Sequence, residues 1–419
     1  MTADDTPIAE ADADKAVEAA ARAARGTVAD LASTPDEQLD DALRAIADQL
    51  GGQADAVLAA NEADIAAARA DGIAGALLDR LRLDPARIGA IAGQLRALAQ
   101  VPAEPSRRTI RELPDGLVLT ECRRPVGVIG ANFEARPNVV VDIASQFVKS
   151  RNAGVLRTGS AAIRSAIALA DEVIAPALAA AGLDPAMIQL VRAPGQDSAR
   201  ALVRQPGLIP LVILRGSGDS TRALAAEAAS HGVRTMAHAD GGAVLYLDAA
   251  ADGAMAERLI EASLDRLGVC NRLNLLLVHP SRWEELVPPI TAMLDRLGIS
   301  ASLPPHAHPL GHEWALDPGH EPTVTIAPAD GPRAAALLAN EETSGLAASI
   351  VTQDQAAAAE FLGAYAGTGA FWNATTRLLD GFKMFSVPET GINIDAVPGP
   401  RGPVTVRDLY LRQFVVTPG

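Results

Sequence analysis

The 419-residue chain is long enough for two or three domains with a large buried core. Its formal net charge of −15 argues against binding to the phosphate backbone of nucleic acids, although local arginines could still form a pocket for a small anion. No apolar run approaches the ~18 residues that a membrane span needs, the N-terminus is acidic, and two distant cysteines do not suggest a disulfide scaffold. These features predict a cytoplasmic protein that binds neither membranes nor nucleic acids.

The first hundred residues predict helices, because Ala, Leu and Ile recur there at three- and four-residue spacing. Two alternating stretches around Pro114-Asp115-Gly116, a strong turn signal, then predict a β-hairpin over 108–124. The tail in 400–419 also alternates apolar and polar residues and could pair with this hairpin. We interpret the two segments as an oligomerisation element of a homodimer or homotetramer, with a purely local surface hairpin as the alternative.

Residues 125–247 alternate short apolar strands with helices, which is typical of a doubly wound parallel sheet. Together with the helices of 1–107, this segment predicts a dinucleotide-binding domain. A second alternation over 248–374 predicts a catalytic α/β domain with its own core. The predicted strands are 126–131, 153–158, 187–193, 208–214 and 243–247 in the first domain, and 271–279, 323–329, 348–352 and 370–374 in the second.

Cys270 lies in LDRLGVCNRLNLLLV, where a predicted helix gives way to a buried strand. A thiolate at such a junction could use backbone N–H groups both for its own stabilisation and to hold an oxyanion. Asn271 offers a further donor. A buried structural cysteine remains the alternative, since free cysteine is among the most buried residue types.

A first polar cluster follows a predicted strand in GVIGANFEARPNVVVD, just before a helix. Arg136 can bind a carboxylate or phosphate bidentately, and Asn138 can donate to a developing oxyanion. Glu134 completes the cluster. A network that only caps the helix and orders the loop is the alternative.

A second strand-to-helix junction reads Arg215-Gly216-Ser217-Gly218. Glycines at a helix N-terminus leave backbone N–H groups available for a phosphate. The pattern is not GxGxxG and is weak by itself, so ordinary turn chemistry is an equal alternative.

In their order and spacing, these motifs resemble the gamma-glutamyl phosphate reductase family, a branch of the aldehyde dehydrogenase superfamily. The resemblance is carried by GVIG, EARPNV and VD, then by LR-x-G, RG-x-G, a single Cys-Asn before a strand, and WNATTRLLDG at 372–381. It extends from about residue 15 to residue 385. EARPNV is the most specific of these motifs.

The resemblance implies an aldehyde dehydrogenase-like fold and an enzyme that reduces an acyl phosphate, gamma-glutamyl phosphate or a related aminoacyl phosphate, to the aldehyde. A thioester on the cysteine would be the intermediate, and an acyl kinase would supply the substrate. The catalytic residues that it implies are Cys270, Asn271 and Asn138, and the substrate-binding residues are Glu134, Arg136 and Asn373.

The resemblance also implies a nicotinamide cofactor, whose adenosine ribose would meet the segment after the strand 153–158. No carboxylate stands there to favour NAD, and Arg157 could meet a 2′-phosphate, so we expect NADPH, with NAD possible. Aldehyde dehydrogenases that oxidise their substrate carry a glutamate just before a Gly-Gly pair, and it activates the water that hydrolyses the thioester. This chain has Asp240 there, which agrees with an enzyme that reduces the acyl group to the aldehyde. The implied cofactor-binding residues are Arg157, Thr158, Gly159, Ser160, Arg215, Gly216, Ser217, Gly218 and Glu389.

The chain departs from the family after the Asp-Gly of WNATTRLLDG, where FKMFSVPETG replaces a Gly-rich stretch and a lysine and a histidine are lost. We therefore expect a divergent paralogue with a changed acyl substrate, in amino-acid or specialised metabolism. The alternatives are a CoA-acylating or oxidising aldehyde dehydrogenase, and a catalytically silent paralogue that partners an acyl kinase.

Four histidines between 304 and 320 raise the question of a zinc site. No cysteine accompanies them, and the Pro and Gly content of the segment indicates an irregular surface loop. We therefore expect no metal.

Overall fold

The computed structural model describes residues 10–419 except 74, 194, 217, 239–240, 318 and 396–398. The chain forms two compact units, which are described separately. The first unit comprises Met1–Ala237, Phe385–Gly391 and Val404–Gly419, and the second comprises His238–Met384 and Ile392–Pro403. The predicted hairpin and the C-terminal strand thus group with the first unit.

The first unit begins with six helices, as the sequence pattern predicts. Asp84 caps the sixth helix by accepting a 2.8 Å hydrogen bond from the Arg87 N–H, and Pro85 occupies its first position. The third helix buries three leucines and one isoleucine at helical spacing, which fixes the face that it turns to the core. The helices are α1 (Glu10–Gly26), α2 (Val28–Ser33), α3 (Asp36–Gly52), α4 (Ala54–Ala70), α5 (Gly75–Leu81) and α6 (Pro85–Gln100).

The predicted hairpin is present, with β1 (Arg107–Glu112) and β2 (Leu117–Pro125) joined by a tight turn at Pro114–Gly116. Asp115 and Gly116 in this turn both have positive φ, as the Asp-Gly signal requires.

A five-stranded sheet forms the centre of the first unit, in the order β5-β4-β3-β6-β7, and the pairs β3–β4, β3–β6 and β4–β5 are parallel. Gly154 in β4 allows close packing of Phe147, since a Cβ there would lie 2.3 Å from the phenyl ring. The strands are β3 (Val128–Phe133), β4 (Ala153–Thr158), β5 (Ile188–Val191), β6 (Leu211–Arg215) and β7 (Arg234–His238); the helices are α7 (Asn138–Lys149), α8 (Ile163–Ala168), α9 (Ala175–Ala180), α10 (Gln196–Val203) and α11 (Gly218–Ser230).

The chain order of this sheet reverses between β3 and β6. From β3 the chain moves outward through β4 and β5, and it then returns to the other side of β3 for β6 and β7. In open α/β sheets, ligands bind in the crevice outside the carboxyl ends of the two strands at such a reversal. The residues that follow β3 and β6 are therefore those best placed to bind a ligand.

The second unit is built on a six-stranded sheet in the order β10-β11-β9-β8-β12-β13, whose pairs are parallel. Leu245 and Leu247 of β8 pack into one hydrophobic cluster, whereas Val244 and Tyr246 pack into another. Since strand side chains alternate, the sheet is buried on both faces. The strands are β8 (Ala243–Leu247), β9 (Leu273–Val278), β10 (Ser300–Ser302), β11 (Thr323–Pro328), β12 (Ala347–Val351) and β13 (Gly369–Trp372); the helices are α12 (Gly253–Ala262), α13 (Trp283–Arg296), α14 (Pro332–Glu342), α15 (Gln355–Ala364) and α16 (Gly381–Phe385).

The last strands among the described residues are the short β14 (Gly391–Asn393) and β15 (Gly402–Val404) and the nine-residue β16 (Tyr410–Pro418). β16 pairs antiparallel with β2, so the predicted pairing of the tail with the hairpin is confirmed. We call the resulting β1-β2-β16 sheet the terminal sheet. It leaves large apolar side chains exposed, namely Ile110, Leu411, Phe414 and Val416. Of the helices that the structure describes, none has the length and apolar composition of a membrane span.

Candidate active site

Cys270 is a half-buried cysteine that forms no disulfide, in the turn between α12 and β9. Its carbonyl accepts a 2.8 Å hydrogen bond from the Gly242 N–H. Its side chain packs beside a small apolar cluster that includes Leu346 and Leu379. The turn precedes β9, so the cysteine lies at the amino edge of the second sheet, whereas α/β ligand sites most often lie at the carboxyl edge.

Gly241 and Gly242 pack directly against the cysteine. A Cβ on Gly241 would lie 2.8 Å from Cys270 Cα and only 2.5 Å from Glu313 Oε1. Gly242 has a φ of 90°, which favours glycine. The Gly-Gly pair therefore allows a backbone approach to Cys270 that no other residue type permits, and the Glu313 carboxylate packs on the same glycine.

Asn271 is buried and anchors the turn to the segment that follows β13. Its Nδ2 donates to the Leu379 carbonyl at 2.9 Å, and its Oδ1 accepts from the Arg377 guanidinium. The Thr376 hydroxyl donates to the Asn271 carbonyl at 2.9 Å. The amide NH2 carries a second N–H, which is the only donor of this side chain left for a substrate oxygen.

Asn373 has a structural role at the opposite edge of the same sheet. It follows β13, has a φ of 51°, and its Nδ2 and Oδ1 bond the carbonyl and N–H of Thr352 at 2.9 and 3.0 Å. Cys270 precedes β9, and the strands of this sheet are parallel, so the two residues lie at different edges. Asn373 therefore does not join Cys270 at the amino edge; its side chain orders a turn, and its role in substrate binding stays a prediction.

The polar cluster of EARPN follows β3 in the first unit, at the reversal in strand order. Ala135 has a φ of 46°, a strained conformation of the kind found at functional sites. Asn138 is the first residue of α7, and its Nδ2 donates to Asp142 Oδ2 at 2.9 Å. Burial raises the pKa of Asp142 to about 6, against the opposing effects of Arg215, the Asn138 hydrogen bond and Arg136. The structure thus brings Arg136, Asn138 and Arg215 together around a carboxylate that the sequence did not single out.

Replacing Asp142 by asparagine is expected to remove the fall in kcat/KM that protonation of Asp142 causes at low pH. The raised pKa means that the wild-type carboxyl is ionised above about pH 6 and protonated below it. Loss of the charge should lower kcat/KM at pH 8 by about tenfold, the typical value of one hydrogen bond to a charged group. The ratio of variant to wild-type kcat/KM, measured from pH 5 to pH 8, should therefore rise toward one as the pH falls. A ratio independent of pH would contradict this role of Asp142.

Glu134 follows β3, and its carboxylate contacts the start of α11, so it links the two motifs of the first unit. A Cβ on Gly216 would lie 3.3 Å from Glu134 Oε1, and the Ser220 hydroxyl donates to the same oxygen at 3.4 Å. Gly218 is the first residue of this helix, and Ser217 lies outside the described residues. A predicted substrate residue thus contacts the predicted phosphate-binding segment.

Arg157 is 3% exposed, and its guanidinium bonds protein atoms within the first unit. It donates to Asn132 Oδ1 at 2.9 Å, to the Gly195 carbonyl at 2.7 Å and to Ser198 Oγ at 3.1 Å. Burial lowers its pKa, an effect that Glu134 opposes. The expectation that Arg157 meets a ribose 2′-phosphate is therefore not supported by this geometry.

The residues after Arg157 differ in exposure. Thr158 is fully buried at the carboxyl end of β4, and its hydroxyl has no hydrogen-bond partner among the described residues. Gly159 is partly exposed and Ser160 is exposed. A buried hydroxyl without a partner is rare in proteins, and it offers a polar contact to a ligand at this strand end.

Comparison with known proteins identifies the family. A model of the aldehyde dehydrogenase family matches residues 3–308. The gamma-glutamyl phosphate reductase of Clavibacter michiganensis subsp. michiganensis is 36% identical over 405 residues, which cover 94% of this chain and 92% of that protein. The chain belongs to the aldehyde dehydrogenase family. Its fold matches the crystal structure of gamma-glutamyl phosphate reductase from Thermotoga maritima with a TM-score of 0.86 at 25% identity, over 96% of this chain and 98% of the other.

Membership of the aldehyde dehydrogenase family confirms the predicted fold class and the prediction of a nicotinamide-dependent oxidoreductase. An acetylating aldehyde dehydrogenase from Geobacillus thermoglucosidasius has a TM-score of 0.72 at 16% identity over 98% of both chains, which shows a shared fold alone.

Glu389 of this aldehyde dehydrogenase family member is partly buried in Phe385–Gly391, a segment of the first unit. Two residues later, a Cβ on Gly391 would lie 3.5 Å from Arg215 Cδ. The segment that departs from the family pattern therefore packs beside a predicted cofactor residue.

Two of the histidines in 304–320 form hydrogen bonds with nearby polar side chains. His308 Nε2 lies 2.7 Å from Ser302 Oγ, and His312 Nε2 lies 3.0 Å from Asp317 Oδ2. Among the residues that the structure describes, no group of three or more His, Cys, Asp or Glu side chains is arranged to hold a metal ion.

Proposed function

We propose that this enzyme reduces an acyl phosphate to the aldehyde through a thioester on Cys270. The observation that carries the proposal is the half-buried thiol on a turn packed against Gly241-Gly242, in a chain whose 36% identical relative is a gamma-glutamyl phosphate reductase. Gamma-glutamyl phosphate or a related aminoacyl phosphate is the proposed substrate class.

The Cys270 thiolate attacks the acyl carbon, a C–S bond forms, and the C–O bond to phosphate breaks with its electron pair leaving on phosphate. Backbone N–H groups of the turn and the Asn271 amide are the proposed donors to the oxygen that becomes negative, and Asn138 stays a predicted catalytic residue of the first unit. A nicotinamide dinucleotide held by residues of the first unit would supply the hydride to the acyl carbon, after which the C–S bond would break with its electron pair on sulfur. Release of the aldehyde returns the sulfur to the thiolate.

Residues of the first unit fit a dinucleotide. The reversal between β3 and β6 provides the crevice, Gly216 and Gly218 lead into α11, and Thr158 offers a buried hydroxyl without a partner among the described residues. We infer a preference for NADPH, because Gly159 and Ser160 place no carboxylate after β4 to repel a 2′-phosphate. Arg157 has no part in this inference. We assign Glu134, Arg136 and Arg215 to the charged groups of the substrate and cofactor.

The reverse reaction tests this function without an unstable substrate. Purified enzyme, glutamate semialdehyde and NADP⁺ should form NADPH only when inorganic phosphate is present. CoA should not replace phosphate. Oxidation of the aldehyde without phosphate, or with CoA in its place, would overturn the proposal.

We further propose that the terminal sheet mediates self-association. Leu411, Phe414 and Val416 each expose about half of their surface on β16, and the pairing partner of β16 is β2 alone among the described strands. Exposed apolar edge strands favour pairing with another chain.

Replacing Phe414 by glutamate is therefore expected to shift the protein from oligomer to monomer, because a charge would be buried in the interface. Light scattering after size exclusion measures this change. Thr417→Glu, on the same exposed strand, controls for the added charge, and a wild-type protein that is already monomeric would contradict the proposal.

A further inference from the structure

Glu313 is a carboxylate beside the nucleophile that the sequence patterns did not single out. Its Oε1 and Cys270 Cα both lie close to Gly241, at 2.5 and 2.8 Å from the position that a Cβ would take there. The loop that carries Glu313 is packed tightly, since a Cβ on Gly311 would lie 1.5 Å from the Glu342 carbonyl oxygen. The position of Glu313 is thus set by backbone packing at both glycines.

Asn274 holds the backbone on both sides of Glu313. This residue of β9 is 1% exposed, and its Nδ2 donates to the His312 carbonyl at 2.8 Å. Its Oδ1 accepts from the Trp314 N–H at 3.1 Å. The Trp314 indole in turn donates to Thr325 Oγ1 at 2.9 Å. One buried amide therefore fixes residue 313 relative to the strand that follows the cysteine.

Arg272 provides a buried positive charge near Glu313. It is fully buried, and its guanidinium donates to the carbonyls of Glu321 and Thr323, while its Nε has no hydrogen-bond partner among the described residues. Burial lowers the pKa of Arg272 to about 10, and the carboxylates of Glu313 and Glu321 oppose this effect. Glu313 thus compensates a buried cation and at the same time lies beside the nucleophile.

Apolar side chains and a paired arginine also lie around the Cys270 turn. The thiol packs beside apolar side chains such as Ala243 and Leu346. Arg377, which bonds Asn271, is paired with Asp265 at 2.6 Å. Glu313 is the carboxylate that the contacts of Gly241 place beside the Cys270 backbone.

We propose that the Glu313 carboxylate suppresses ionisation of the Cys270 thiol in the resting enzyme, and that Asn274 and Arg272 are positioning residues that hold it there. A negative charge close to a thiol disfavours the thiolate. The resting cysteine is then protected from oxidation, which attacks the thiolate form. This inference rests on the proposed function only in naming Cys270 as the nucleophile.

The test is the rate at which iodoacetamide alkylates Cys270, followed by peptide mass spectrometry as a function of pH. Glu313→Gln, which keeps the size of the side chain, should alkylate about tenfold faster at pH 7, with the rise in rate moved about one pH unit lower. Glu321→Gln is the matched control, because it removes a second carboxylate near Arg272 without changing the group beside Gly241. It should follow the wild-type profile.

Asn274→Ala should change the rate in the same direction as Glu313→Gln, and the double variant should alkylate no faster than Glu313→Gln alone. If Glu313→Gln is alkylated at the wild-type rate and only its KM for the cofactor rises, the proposal is overturned and Glu313 is instead a cofactor ligand. Equal acceleration in Glu321→Gln would also overturn it. Alkylation needs no substrate, so this outcome is independent of whether the wild-type enzyme forms an aldehyde.

Discussion

Replacing Cys270 by serine is expected to lower kcat for aldehyde formation about a thousandfold or more, because a hydroxyl at this position ionises far less readily than a thiol and is a much weaker nucleophile. The binding of NADPH, which we assign to residues of the first unit, should be unchanged. Phosphate-dependent formation of NADPH measures the loss, and fluorescence titration measures cofactor binding. Intact mass spectrometry should show an acyl adduct on the wild-type protein and none on the variant.

Cys122→Ser is the control for this experiment. Cys122 is the other cysteine, is free, and is 4% exposed within β2 of the terminal sheet. Its replacement should leave kcat unchanged. Substantial activity in Cys270→Ser would contradict the thioester mechanism.

Replacing Gly241 by alanine is expected to lower kcat by about a hundredfold, because misplacement of a catalytic group by 1 Å has an effect of that size. The added methyl would lie 2.8 Å from both Cα and O of Cys270 and 2.5 Å from Glu313 Oε1. The backbone that presents the nucleophile must therefore move. The temperature of unfolding should fall as well, since overpacking a tight contact is destabilising by about 1–3 kcal/mol.

Gly363→Ala is the matched control in the same unit. Gly363 lies within helix α15, and a Cβ there would have no neighbour within 4 Å. Alanine should leave kcat unchanged and raise the unfolding temperature slightly, because glycine is unfavourable in a helix interior. Wild-type kcat in Gly241→Ala would show that the turn tolerates displacement of the cysteine.

The sheets could be predicted from sequence where apolar strands are bounded by clear breaks. The strands 153–158 and 243–247 are found with the predicted bounds, but 243–247, predicted in the first domain, belongs to the sheet of the second unit. β7, whose sequence is RTMAH, was not predicted because it is short and polar at both ends, and β10 has only three residues. Such strands form because neighbouring strands supply hydrogen-bond partners, which a local pattern does not record.

The candidate site was predictable where a motif follows a strand. EARPN after β3 and the glycines 216 and 218 after β6 lie at the same reversal of strand order, as expected for parallel strands. The direction of a side chain was not predictable, so Asn373 was assigned to the substrate although its amide bonds Thr352. Asp142 had a signal, since it follows Asn138 by one helical turn. Glu313 had none, because its position depends on a loop folded against distant glycines.

The burial of Arg157 limits how the coenzyme preference of this enzyme can be redesigned. An engineer seeking to switch between the two dinucleotides would be drawn to this arginine, but its removal would strand acceptors on Asn132, Ser198 and the Gly195 carbonyl inside the protein. Libraries directed at the exposed neighbour Ser160 should alter selectivity while the yield of folded protein is retained.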